Sequence, residues 1–264
     1  MKTLYESLLD DFEKLEDSIN PIDEIKKFLK DNYLDSDKLK ISETLNKDGL
    51  YEVDCKRYQV IEINNDKITS LTNGMFEFVN VENFYCSYCD NLTSLEGAPK
   101  EVKGYFVCSD CKNLTTIEGA PKKCKFFNCS WCPKLTSLEG APKEVKEFFD
   151  CSYCNKLTSL KGAPKKIRGV FNCTNCKNLT SLEGAPENVN NFNCSYCNKL
   201  TSFKGAPKKI YGDLICTNCK NLTSLEGAPK LTENGNFKGI GSGLAGRYDY
   251  DSIMNICGTN NIYV

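Results

Sequence analysis

The chain has 264 residues, 34 basic and 35 acidic side chains, 40% hydrophobic residues and no histidine. A formal charge of −1 excludes a globally basic nucleic-acid binder, and the apolar content excludes a disordered tail. Without histidine there is no imidazole general base, no Ser-His or Cys-His nucleophilic pair and no zinc site built on imidazole. The first residues lack the apolar core of a signal peptide, and no apolar run reaches the length of a membrane span. A cytoplasmic, reducing location is therefore expected, with the 17 cysteines as thiols.

Residues 1–54 carry 8 basic and 15 acidic side chains, and the rest of the chain 26 and 20. Leu4, Leu8, Phe12 and Leu15 predict a helix over 3–18. Ile22, Ile25, Phe28 and Leu29 predict a second amphipathic stretch after the break at Pro21. Over 40–63, Lys47-Asp48-Gly49 lies between β-like runs and reads as a hairpin leading into the cysteine-rich remainder of the chain.

From residue 55 the chain repeats. Cys86-Ser87-Tyr88-Cys89 recurs with first cysteines at Cys108, Cys129, Cys151, Cys173, Cys194 and Cys216, in steps of 21 or 22 residues. Each pair precedes a Leu-Thr-Ser-Leu-like run and a Gly-Ala-Pro, as in Leu92–Pro99. A fixed period of this length predicts a solenoid whose coils bury a common core only by stacking. After Pro229 the repeat fades into glycine-rich 239–246 and a short helix in 249–257. The expected division is an acidic helical cap over 1–54, about eight coils over 55–238 and a C-terminal cap over 239–264. The acidic helices either cover the open core or dock a partner.

Within a coil, Phe192-Asn193-Cys194 alternates apolar, polar, apolar, as a one-sided strand does. Cys197 comes three residues after Cys194, so both face the core only if the chain bends between them. Two leucines line the return path, and Gly-Ala-Pro turns the corner.

These motifs resemble the leucine-rich repeat family, in the variant ending in LTSLxGAP found in proteins of phages and low-GC bacteria. The family pattern lies over Val189-x-x-Phe192-x-Cys194-x-x-Cys197-x-x-Leu200, with one extra residue after the second cysteine. Ile61-x-Ile63-x-x-Asp66-x-Ile68-x-x-Leu71 keeps the usual spacing. The resemblance covers about 58–238 and implies an α/β repeat solenoid with a parallel, concave β-sheet. It also implies one biological version: a mobile-element inhibitor of a host defence complex, as anti-CRISPR proteins are.

Repeated Cys-x-x-Cys falls within zinc-ribbon spacing, yet seven pairs cannot divide into four-cysteine sites, and leucine, glycine and proline repeat with them. Buried cysteine acting as a small hydrophobe is the favoured reading, structural metal the rival. Cys124 takes the column of Val102 and Val145 and reads as core; Cys257 has no histidine to activate it. No nucleotide or paired-carboxylate motif appears. A non-enzyme is expected, without cofactor, metal, membrane or small-molecule substrate.

Two outward surfaces emerge from the columns. Tyr88, Tyr105, Phe126, Trp131, Phe148, Tyr153 and Tyr196 form the expected partner-binding set on the concave face. The alternative is that the rings only pack along the sheet as cross-strand ladders. Lys100, Lys122, Lys123, Lys143, Lys165, Lys166, Arg168, Lys208 and Lys209 come after Gly-Ala-Pro and stack along one edge. That edge either tracks a phosphate backbone or is simply solvated, with Glu96, Glu118, Glu139, Glu183 and Glu226 weakening its field. The leading expectation is a module that binds another protein on its concave aromatic face; a nucleic-acid or ribonucleoprotein binder on the lysine edge is the alternative.

Overall fold

The computed structural model describes residues 20–264, so the helix expected over 3–18 lies outside the described residues. The repeated period folds as a parallel β-solenoid. Its main sheet runs through ten rungs: Val60–Glu62, Asn83–Tyr85, Tyr105–Val107, Lys123–Asn128, Glu144–Asp150, Val170–Asn172, Asn191–Asn193, Leu214–Ile215, Asn236–Lys238 and Asn261–Tyr263. The last two rungs belong to the tail that shows no cysteine pairs, and they extend the stack beyond the eight coils expected from the repeat.

One inward phenylalanine in each of the six rungs from Asn83–Tyr85 to Asn191–Asn193 sets the register. Phe84 pairs with Phe106, Phe106 with Phe127, Phe127 with Phe149, Phe149 with Phe171 and Phe171 with Phe192. Their rings stack with centroids 5.2–5.6 Å apart and planes within 18° of parallel. A one-residue slip would turn this ladder out of the core, so burial of the rings enforces the pairing. A second inward column, Val81, Val102, Cys124, Val145, Ile167, Val189, Ile210 and Leu231, is also buried. The leucines of the return path complete the core.

The coils contain strands and turns but no helix among the described residues. The expected α/β class is therefore not what the repeats build. Every Gly-Ala-Pro glycine has φ between +77° and +97°, which an α-helix cannot accommodate, and proline comes two residues later. Adding a Cβ at Gly140 would bring it within 2.7 Å of the Glu118 backbone in the preceding coil, so the coils pack main chain to main chain at this corner.

The two described helices lie at the ends. Helix α1, Pro21–Asp31, starts where the Asn20 side chain accepts from Ile22 N at 3.0 Å and proline occupies the first turn. It buries Ile25, Phe28 and Leu29, and Phe28 meets Phe76 edge-on at 5.5 Å. Lys40–Ile41 and Tyr51–Asp54 form the expected antiparallel hairpin, and Tyr51–Asp54 then pairs in parallel with Phe76–Val79. At the other end, α2, Tyr250–Cys257, is capped by Asp249, which accepts from Ser252 N at 2.8 Å, and stops at Gly258 with φ +77°.

Candidate binding faces

Between the two cysteines of each pair the chain bends through a residue in the left-handed region. Tyr88, Asp110, Trp131, Tyr153, Asn175, Tyr196 and Asn218 all have φ between +57° and +60°. Each amide donates to the next coil, as Trp131 N does to Ser152 O and Tyr153 N to Thr174 O, both at 2.9 Å. The bend thus keeps the ladder running while turning the second cysteine inward.

All 17 cysteines are buried and unbridged. Desolvation pushes the thiols of Cys86, Cys108, Cys151, Cys173 and Cys216 well above the ordinary range. Cys129 and Cys194 are raised first by contacts with Cys154 and Cys219, then by burial, while Cys219 sits lower because Cys194 donates to it. Cys124 is buried in the valine column, and desolvation pushes its thiol up to about 12. Among the described residues no group of three or more His, Cys, Asp or Glu side chains is arranged to hold a metal ion.

The aromatic residues expected at the surface fall into two stacked pairs and several separate rings. Tyr105 and Phe126 are register partners and stack at 4.2 Å; Phe148 comes after Phe126 in the same column, half-buried, and Val170 after Phe148. Trp131 and Tyr153 stack at 3.8 Å with planes 9° apart, and Trp131 remains 51% exposed. Tyr88 and Tyr196 are exposed but stand apart, beside Asp110 and between Asn175 and Asn218 in the same column. The cross-strand ladder and the exposed surface therefore coexist on one face.

A further outward column lies between these rings, and sequence reasoning missed it: Asn128, Asp150, Asn172 and Asn193. Each side chain accepts from the amide two residues on, for example Ser130 N to Asn128 Oδ1 and Ser152 N to Asp150 Oδ1, both at 2.8 Å. These are Asx turns that end the strand, and the recurring Asn-Cys-Ser/Thr or Asp-Cys-Ser was their signal. Burial raises the Asp150 carboxyl, against donors from Ser152 and Asn172 that favour its charge.

The lysine edge is broader than expected. Lys122, Lys123, Lys165, Lys166, Arg168, Lys208 and Lys209 are all exposed, and the same face adds exposed Lys103, Lys125 and Lys146 just before the aromatic column. Lys100 is held by Asp48 at 2.6 Å and Glu77 at 2.7 Å, and Lys208 by Glu187 at 3.0 Å. Lys209 lies over the Tyr211 ring at 4.9 Å. No family model, curated protein or solved structure matches the chain. No helix among the described residues is long and apolar enough to cross a membrane.

Proposed function

We propose that the protein is a cytoplasmic, non-enzymatic binding module of the leucine-rich-repeat kind whose outer aromatic face takes another protein. One observation carries this reading. A left-handed backbone suits Asn and Asp, and three coils use them there, at Asp110, Asn175 and Asn218. Four other coils place Tyr88, Trp131, Tyr153 and Tyr196 at the same strained position, with Tyr88, Trp131 and Tyr196 about half exposed. Stacking on each other accounts in part for Trp131 and Tyr153, but Tyr88 and Tyr196 have no such partner ring, and strain of this kind gathers at functional positions. Exposed Trp and Tyr on a rigid sheet are favoured interface anchors.

The repeat kinship draws support from the second cysteine. It occupies the position that the family gives to Asn or Cys, and its Sγ bonds back to the main chain of the preceding coil. In this reading α1 and the tail cover the ends of the stack. The test is affinity capture from nuclease-treated lysate with the full chain, compared with Trp131→Ala/Tyr153→Ala. Loss of about 2–4 kcal/mol of affinity for the captured protein is expected, with an unchanged circular dichroism spectrum. A correctly folded double variant that binds as tightly as the parent overturns the assignment.

A further inference from the structure

We propose that a basic block on three consecutive coils is a second binding site, one that takes the phosphate backbone of single-stranded nucleic acid. The block comprises Lys122, Lys123 and Lys125, then Lys143 and Lys146, then Lys165, Lys166 and Arg168, every one of them exposed. None forms an ion pair among the described residues. This sets them apart from Lys100 and Lys208, which the chain neutralises itself.

The coils hold these charges in line. Lys122 N donates to Lys100 O at 2.9 Å and Lys143 N to Lys122 O at 3.0 Å, so equivalent residues stand one rung apart. A rung is about 4.8 Å, and like charges at that separation repel. The acids in the block's own strands are Glu144, in register between Lys123 and Lys166, Glu147, and Asp150 at the far end of its strand, beyond the rings. The block thus sets eight cations against the neighbouring carboxylates of Glu144 and Glu147, a net positive surface that a ligand with regularly spaced anions relieves.

Two features favour a single strand over other polyanions. Lys125 directly precedes Phe126, and Lys146 stands two residues before Phe148, so the cations border the column in which Tyr105 and Phe126 stack. A line of charge beside accessible rings is how single strands are held, and here Tyr105 is exposed while Phe126 and Phe148 are half-buried. In addition, a groove of about 570 Å³ brings Pro142 and Pro164 together with Lys123, Lys143, Lys165 and Lys166, four cations against one carboxylate, that of Glu144.

The site differs in residues from the Trp131/Tyr153 surface, so the two readings fail separately. The experiment titrates full-length protein against fluorescent oligouridine of about 20 nucleotides over a salt series, with polyglutamate, duplex RNA and anionic vesicles alongside. Binding with a log–log salt slope of about −3 to −4 is expected, corresponding to roughly five phosphates at −0.7 each. Lys122→Glu/Lys123→Glu/Lys165→Glu/Lys166→Glu should weaken it more than about tenfold, and the matching Gln variant by an intermediate factor. Trp131→Ala/Tyr153→Ala should leave it within about threefold. The proposal is overturned by absent binding at low salt, by equal or tighter binding to polyglutamate, duplex or vesicles, or by lysine variants that bind as the parent does.

Discussion

The thiol of Cys154 donates to the carbonyl oxygen of Cys129, one coil earlier, at 3.2 Å. The same bond joins Cys111 to Cys86, Cys176 to Cys151 and Cys197 to Cys173, at 3.2 Å each. The chain leaves the strand at this carbonyl, and the neighbouring coil presents no amide to it. A residue here must be small, apolar in body and able to donate once, and cysteine meets all three needs. The column is thereby explained without metal or disulfide.

Removing the donor should leave that carbonyl buried and unpaired. Cys154→Ala is expected to cost about 1–2 kcal/mol in urea unfolding. Cys154→Ser, which keeps a donor, should cost less than alanine. Serine costing as much as alanine or more would show that packing alone holds the column.

Stability should fall in alkali. The unfolded thiols titrate near about 8.5, whereas burial holds those of Cys55, Cys89, Cys124 and Cys257 up to about 12. Above the unfolded value the unfolded chain releases protons that the folded chain retains, so the equilibrium moves toward unfolding. The thiol contribution is therefore intact below about pH 8.5 and is lost progressively between there and about pH 12. Urea midpoints measured in reductant from pH 7 to 10 should stay level to about 8.5 and then drop steeply, since many thiols act together. A flat profile to pH 10 would mean that the cysteines are not buried as thiols.

Much of the solenoid was legible because no coil can bury Phe192, Cys194 or Leu200 alone, so the same residues recur where the same contact recurs. The bend between Cys194 and Cys197 was implied by strand geometry, but the left-handed φ at Tyr196 was not, because tyrosine is a poor reporter of that conformation. The rung at Asn236–Lys238 was hidden because Gly239 replaces cysteine, although Asn236-Phe237 repeats the Asn191-Phe192 pattern. The helix implied by the family resemblance is missing because Gly-Ala-Pro closes each coil within the main chain of its neighbour. On the basic face, Lys103, Lys125 and Lys146 stand beyond the inward Val102, Cys124 and Val145, outside the short basic run that Gly-Ala-Pro marks in the sequence.

The corner glycines should tolerate no side chain. At Gly162, φ is +88° and an added Cβ would run into the backbone of Leu138 and Glu139. Gly162→Ala should destabilise by about 2–4 kcal/mol, combining left-handed strain with overpacking against main chain that cannot move aside. Gly49, with φ +76° and open space around it, should lose only the strain, about 1–2 kcal/mol. Equal costs at the two sites would show that the coils are less tightly stacked at the corner.

The strained aromatic bends allow stability and binding to be separated. Tyr196 has φ +59°, is 47% exposed and lies in the same column as Asn175 and Asn218, which fill equivalent bends. Tyr196→Asn should stabilise the fold by about 0.5–1 kcal/mol, because asparagine occupies the left-handed region more readily. Trp131→Asn relieves the same strain at φ +58° but also breaks the 3.8 Å stack on Tyr153. Such a stack is worth about 0.5–1.5 kcal/mol, so the Trp131 change should come out near zero. Thermal or urea unfolding of the two variants gives the order directly. If Trp131→Asn loses several kcal/mol instead, the ring is part of the folding core and the strain has a structural cause. If it is near neutral while partner capture is lost, the rings are held at these bends for the surface they present.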